Sequence, residues 1–356
     1  MTALWQRHPV GIVGLGLIGG SLGLDLLARG ATVRALVHRQ ATAERALERG
    51  LASEVSTDPA VLCDCALVVL ALPLDRLLDP SPELLAALPP AAVITDVGSV
   101  KGPVLEAWTA LLGAERASRF VASHPMAGTA QAGVEAGAAG LFRGRPWVAT
   151  PAEVTDPQAL SAVQELAGAV GAHWLTCGAA DHDRAVALIS HLPVLVSAAL
   201  LLAADRGAGD FVRSGAVSSE AISSGAPRPE PGAGGAGRFA ADRLAADRLA
   251  AGSAAAAADG AAAPRSAEAA SDPAGSDLSQ LVRSLASGGF ADTTRVGGGN
   301  PELGTLMARC NRESLLVALA QYRRALVDLE HLVAGESWPE LQASLAEAQR
   351  LRPDFL

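Results

Sequence analysis

Over the first half of the chain, short runs of consecutive apolar residues alternate with stretches in which leucines and alanines recur at helical spacing. Residues 10–13 form such a run and lead into a glycine cluster, after which leucines at 21–28 follow a helical period: strand, tight turn, helix. The same pattern predicts strands at 31–37, 66–72, 92–96, 119–122, 146–150 and 173–176, and helices at 42–49, 74–88 and 157–171. Strands buried on both faces read as unbroken apolar runs, and strands alternating with helices of this length form a covered parallel sheet. From residue 181 the strand signal stops. Helical periodicity at 183–204, 278–286, 301–331 and 338–349 predicts an all-helical second domain. The expected organisation is an α/β domain with a parallel sheet over 1–178, followed by an all-α domain over 179–356. Long apolar helices with few loops bury themselves well against a second copy, so a homodimer is expected.

One stretch of the helical half differs in kind. At about 207–276 Ala, Gly, Ser, Pro and Arg dominate, large apolar residues are scarce, and A-A-D-R-L at 240–244 repeats at 245–249. Such a segment forms no core, and the reading is a low-complexity insertion, tolerated because loop-closure cost grows slowly with length.

Composition narrows the function classes. The 356 residues are 50% hydrophobic, enough for a sizeable core, and 28 Lys plus Arg against 37 Asp plus Glu give a net charge of −9. That balance offers no electrostatic footprint for a polyanion, so nucleic acid is not an expected partner. Cys63, Cys65, Cys177 and Cys310 show no zinc-type spacing, so no metal is expected. Residues 1–9 carry no apolar signal region and the greasiest run, 193–204, is short of the roughly 20 residues that span a bilayer. A cytoplasmic chain with no membrane partner, and a buried helix at 193–204, are expected. Lys101 is the sole lysine among 28 cations, a sign that a compact ammonium is needed there, structurally or near a ligand.

The candidate chemistry lies at the ends of the predicted strands. Gly14, Gly16 and Gly19 form G-x-G-x-x-G directly after a strand and at a helix start. The first glycine allows the tight turn, the second admits a pyrophosphate to the backbone, and the third packs helix on strand, while the helix start, with Leu17 and Ile18, offers free N–H groups. This is a Rossmann-type dinucleotide site. The end of the second strand reads Val37-His38-Arg39-Gln40-Ala41-Thr42, with no carboxylate to take the ribose 2′-hydroxyl of NAD. Arg39 is placed to stack on adenine and pair with a 2′-phosphate, with His38 and Thr42 as hydrogen-bond donors, so NADP is favoured over NAD. Two further strand ends, 95–101 and 122–129, carry Ser99 and His124 to the ligand crevice, and His124 has the side chain suited to take a proton from a substrate hydroxyl. A non-enzymatic NADP-binding sensor is the alternative from a different class.

The segments V-G-L-G-L-I-G-G-S-L (13–22), T-D-V-G-S-V-K (95–101), S-H-P-M-A-G-T (123–129), D-H-D-R-A-V-A-L-I-S-H-L-P-V (181–194) and G-G-F-A-D-T-T-R-V-G-G-G-N-P-E-L (288–303) resemble, in order and spacing, the prephenate/arogenate dehydrogenase family, and most closely its compact bacterial arogenate dehydrogenases. The resemblance covers nearly the whole chain outside the insertion. It implies oxidative decarboxylation of a cyclohexadienol in tyrosine biosynthesis, on arogenate with NADP or, as the alternative, on prephenate with NAD or NADP. It also implies a role for each matched position. His124 corresponds to the catalytic histidine and Ser99 to the serine that helps hold the ring hydroxyl and the nicotinamide. Arg295 corresponds to the arginine on a substrate carboxylate, and His191, Gly128 and Thr129 fall at substrate-facing positions. No fused tyrosine-sensing module is expected.

Overall fold

The computed structural model describes residues 2–128, 131–214 and 278–355, with backbone alone at 208–214. A one-turn helix α1 (Leu4–Arg7) precedes strand β1 (Val10–Val13), whose four residues are all buried. There follow α2 (Leu17–Leu27), β2 (Val33–Leu36), α3 (Gln40–Glu48), β3 (Glu54–Ser56), β4 (Leu67–Leu70), α4 (Leu74–Leu78), α5 (Pro82–Ala87), β5 (Val93–Asp96), α6 (Gly102–Arg116) and β6 (Phe120–Val121). These six strands make one parallel sheet in the order β3-β2-β1-β4-β5-β6. The strand order reverses between β1 and β4, and the crevice at the carboxyl ends beside that point is where such sheets take ligands. One apolar cluster around Ile12, Leu26 and Val69 covers one face of the sheet, and another around Leu70, Ile94 and Trp108 covers the other. The α/β fold with its parallel sheet is thus the one the apolar runs indicate.

A second sheet departs from the all-parallel expectation. Strands β7 (Ser123–Pro125), β8 (Pro146–Ala149) and β9 (His173–Thr176) form it in that order, with β7 antiparallel to β8 and β8 parallel to β9. Helix α7 (Pro157–Ala169) provides the crossover between β8 and β9. No helix of comparable length intervenes between β7 and β8 among the described residues, so the chain returns antiparallel. The predicted helix at 74–88 is two helices, because Pro80 and Pro82 interrupt the ladder and the Ser81 hydroxyl accepts from Leu84 N to start the second.

The remaining elements are helical: α8 (Ala179–Val186), a π-turn (Ala187–His191), α9 (Leu192–Ser214), α10 (Leu278–Leu285), α11 (Gly288–Thr294), α12 (Pro301–Cys310), α13 (Arg312–Ala334) and α14 (Trp338–Leu351). The π-turn has a local cause. Pro193 lacks the N–H that would bond the carbonyl four residues back, at Ile189, and a widened turn accommodates that loss. The predicted helix at 301–331 breaks at Asn311, which has left the helical region (φ −117°, ψ 34°). The expected insertion at about 207–276 lies outside the described residues from 215 onward. The stretch 193–204 belongs to a continuous helical run, Ala179–Gly207, that is long and apolar enough to cross a membrane by length and composition. About a quarter of its apolar window, 28%, is buried in the single chain and the rest is half-buried or exposed, so the expectation of a buried helix holds only in part.

Candidate active site

The glycine turn has the shape its sequence indicates. Gly14 adopts φ +94°, a conformation other residues avoid, and a Cβ there would stand 2.4 Å from the Ala71 carbonyl oxygen. A Cβ on Gly19 would lie 1.9 Å from the Gly14 carbonyl oxygen, so helix and strand approach to a distance only glycine permits. Gly16, by contrast, faces open space, and it caps α2 with Leu17 and Ile18 as the first two helical residues. A glycine-lined opening over the free N–H groups of an eleven-residue helix fits a pyrophosphate. At the end of β2, His38 and Arg39 are exposed, Arg39 Nε donates to His38 Nε2 at 2.7 Å, and Thr42 is half-buried on α3.

A buried ionic clamp holds the strand end that carries His124. The Asp96 carboxylate accepts from Ser123 N (3.1 Å), Gly98 N (2.8 Å) and the Lys101 ammonium. Lys101 Nζ also donates to the Ser123 carbonyl at 2.7 Å. Ser123 Oγ in turn receives the Trp147 indole N–H at 2.9 Å. Asp96, Lys101 and Ser123 are all fully buried. The lone lysine is therefore a tie between the ends of β5 and β7, with its pKa drawn below the ordinary lysine value by burial against the pull of Asp96. A guanidinium is too large and too rigidly forked for that enclosed position.

His124 is half-buried beside this clamp, and Ser99 is half-buried in the loop that follows β5. Burial, the Lys101 ammonium and the neighbouring His182 and His191 hold His124 well below the usual histidine range, so its imidazole is neutral at physiological pH. His124 Nδ1 lies 3.0 Å from His182 Nε2, and His182 Nδ1 lies 2.8 Å from Asp183 Oδ1. The Asp183 carboxylate also accepts from Lys101 N (2.7 Å) and Gly102 N (2.8 Å). Burial pushes its pKa up, but the bonds from His182 and those two amides hold it below the ordinary aspartate value.

His191 sits in the π-turn, 1% exposed. Asn311 Nδ2 donates to the Asp183 carbonyl at 2.7 Å and stands 3.2 Å from His191 Nδ1. Because that nitrogen of Asn311 is a donor, His191 Nδ1 is the acceptor and Nε2 bears the hydrogen. Nε2 is buried with no partner, an orphan donor of the kind a substrate oxygen satisfies. Burial pushes the His191 pKa down to about 4.

The structure thus joins His124 and His191 through His182, Asp183 and Asn311. It does not join every predicted position to them. Arg295 is exposed in the 3-10 turn Arg295–Gly298, with no hydrogen bond to either histidine among the described residues. That turn is nevertheless fixed against α9: Ser197 Oγ donates to the Thr293 carbonyl at 2.7 Å, and a Cβ on Gly297 would stand 2.4 Å from Ala198 N. Gly128 is exposed, and Thr129 lies outside the described residues. Sequence reasoning missed Asp96, His182, Asp183 and Asn311. The first three stand in or beside segments that carry the family resemblance, but Asn311 had no signal, because a helix break is invisible in the apolar period.

Two family models and several known proteins match this chain. Residues 22–176 match the family model described as prephenate dehydrogenase, nucleotide-binding domain, and residues 267–347 match the prephenate dehydrogenase dimerization domain. The chain is 31% identical over 200 residues to prephenate dehydrogenase of Bacillus subtilis, covering 55% of this chain and 53% of that one. It is 31% identical over 195 residues to cyclohexadienyl dehydrogenase of Zymomonas mobilis, covering 54% and 66%. The aligned region spans about half the length of the first of these curated relatives. The crystal structure of Synechocystis arogenate dehydrogenase superposes with a TM-score of 0.68 at 33% identity, covering 98% of this chain and 100% of that one. With both family models matched in order and a solved relative matched along its whole length, the chain belongs to the prephenate dehydrogenase family.

Proposed function

We propose that this chain catalyses the NADP-dependent oxidative decarboxylation of arogenate to tyrosine, as a cytoplasmic homodimer. The observation that carries the reading is His124: a neutral imidazole on a strand end pinned by the Asp96–Lys101–Ser123 clamp, at the carboxyl edge that also bears the glycine turn. Gly14, Gly16, Leu17, Ile18 and Gly19 hold the pyrophosphate, and Arg39, His38 and Thr42 hold the 2′-phosphate, where no carboxylate stands to prefer a free ribose hydroxyl. A nicotinamide bound there supplies the acceptor for the hydride that leaves the carbon bearing the ring hydroxyl.

His124 Nε2 takes the hydroxyl proton as carbonyl character develops, and returns it to the phenolate oxygen once the ring carboxylate has left as CO2 and the ring is aromatic. Ser99 helps orient that hydroxyl. The orphan N–H of His191 and the fork of Arg295 bind substrate oxygens, and the family resemblance gives Gly128 and Thr129 substrate-facing roles. The arogenate preference is supported by the full-length likeness to the Synechocystis arogenate dehydrogenase. The dimer is supported by the exposed apolar helices and the matched dimerization domain. Four free cysteines accord with a reducing compartment.

The test is the initial rate of nicotinamide reduction by purified protein with arogenate or prephenate, each paired with NADP or NAD. Arogenate with NADP is expected to exceed the other three pairs, and His124→Asn is expected to lower kcat by about 10²- to 10⁴-fold. Faster turnover of prephenate overturns the substrate assignment, faster turnover with NAD overturns the role of Arg39, and no turnover in any pair favours a binding protein.

A further inference from the structure

His182 and Asp183 belong to neither strand end expected to bind ligand, yet both are almost completely buried, His182 stands against His124, and Asp183 stands against His182. Donor and acceptor roles along this chain of side chains follow from its anchored end. The Asp183 carboxylate is ionised and receives two backbone amides, so it only accepts, and His182 must present its hydrogen at Nδ1. In its neutral form His182 then carries its lone pair at Nε2. His124 Nδ1, 3.0 Å away, must be the donor, which leaves the lone pair of His124 on Nε2.

We infer that the His182–Asp183 pair is a positioning dyad that fixes the tautomer and ring orientation of His124, so that Nε2 is the basic nitrogen. The inference rests on the reading of His124 as the base. When the substrate O–H bond breaks, the proton forms a bond to His124 Nε2, and the Nδ1 hydrogen stays in place, donating to His182. The imidazolium so formed is stabilised by an imidazole already polarised by a carboxylate. The charged and titratable groups around the dyad include Lys101, Asp96 beyond it, His124, His191 and, on the side of the His182 backbone, Cys177. The ammonium opposes a positive charge on His124, and the dyad offsets that opposition. Neither His182 nor Asp183 contacts substrate in this scheme.

Two measurements test it. In protein labelled with ¹⁵N-histidine, with the His124 signals assigned by their loss in His124→Asn, the neutral His124 ring is expected to carry its hydrogen on Nδ1. In His182→Ala the hydrogen is expected to move to Nε2, and in His182→Gln, whose amide oxygen also accepts, it is expected to stay on Nδ1. In steady-state kinetics, His182→Ala is expected to lower kcat roughly ten- to a hundredfold with KM for the cofactor unchanged, and His182→Gln to regain most of the loss. A hydrogen on His124 Nε2 in the native protein, or native kcat in His182→Ala, overturns the inference. A protein that turns over neither substrate overturns the proposed reaction instead, while the tautomer measurement still decides the role of the dyad.

Discussion

Every residue of β4, Leu67–Leu70, is buried, whereas on α13 the adjacent Leu316 and Val317 are 50% and 60% exposed. The side chains are equally apolar, and the difference lies in what surrounds them. The sheet region closes its own core on both faces of six strands. Among the described residues, the helical region after residue 179 gathers a small core cluster of Ala187, Leu192, Leu315 and Ala318, and leaves Ile189, Leu202, Leu326 and Trp338 exposed. A region that completes its own burial is stable by itself. One that does not needs a cover, and large apolar side chains left exposed on these helices accord with the matched dimerization domain. The two regions also divide the chemistry: the sheet side holds the proposed base rigidly, and the helical side supplies the residues that orient it.

Substitutions on the two sides should separate these roles. The largest expected effect is Val69→Asp, which buries an unpaired carboxylate in the closed sheet and costs roughly 5 kcal/mol or more, read as loss of the cooperative urea transition. Next is Lys101→Met, which strands the buried Asp96 charge and is expected to cost about 3–5 kcal/mol in the same measurement. Lys101→Arg should also destabilise and impair turnover, and a fully native Lys101→Arg protein would show that the enclosed position admits a guanidinium.

The third effect is a pH dependence on the helical side. An unfolded histidine binds its proton as pH falls through 6.5, while folded His191 resists to about 4. His191 therefore adds full stability above pH 6.5, and that contribution is lost progressively from 6.5 down to about 4, on the order of 3 kcal/mol. His191→Asn should flatten denaturation midpoints across that window, and an unchanged slope would show that the π-turn histidine is more open than its burial indicates. The smallest effect is Val317→Asp. On an exposed helix position it should change monomer stability by less than about 0.5 kcal/mol, while a sedimentation experiment shows weakened self-association. A large stability loss there would erase the contrast with Val69.

The parallel sheet, the glycine turn and the helical second half were all legible in the sequence, because each rests on a local pattern. Unbroken apolar runs such as 67–70 require burial on both faces, and Gly14 and Gly19 stand where a Cβ would strike the backbone. The lone Lys101 was legible as an anomaly, but not as a buried tie to Asp96, which depends on two strand ends meeting. Strand β3, the antiparallel return of β7 on β8 and the break at Asn311 were not legible, since three-residue strands and single-residue kinks leave no periodic trace.

What the sequence determined by itself is therefore the type and order of elements and the residues able to do acid–base and phosphate-binding chemistry. What only the tertiary structure decided is which partners those residues meet. His124 is 58 residues from His182, and His191 is 120 from Asn311. Hydrogen bonds assign their tautomers across those separations, and a hydrogen bond is a property of distance in space, which no local pattern along the chain encodes.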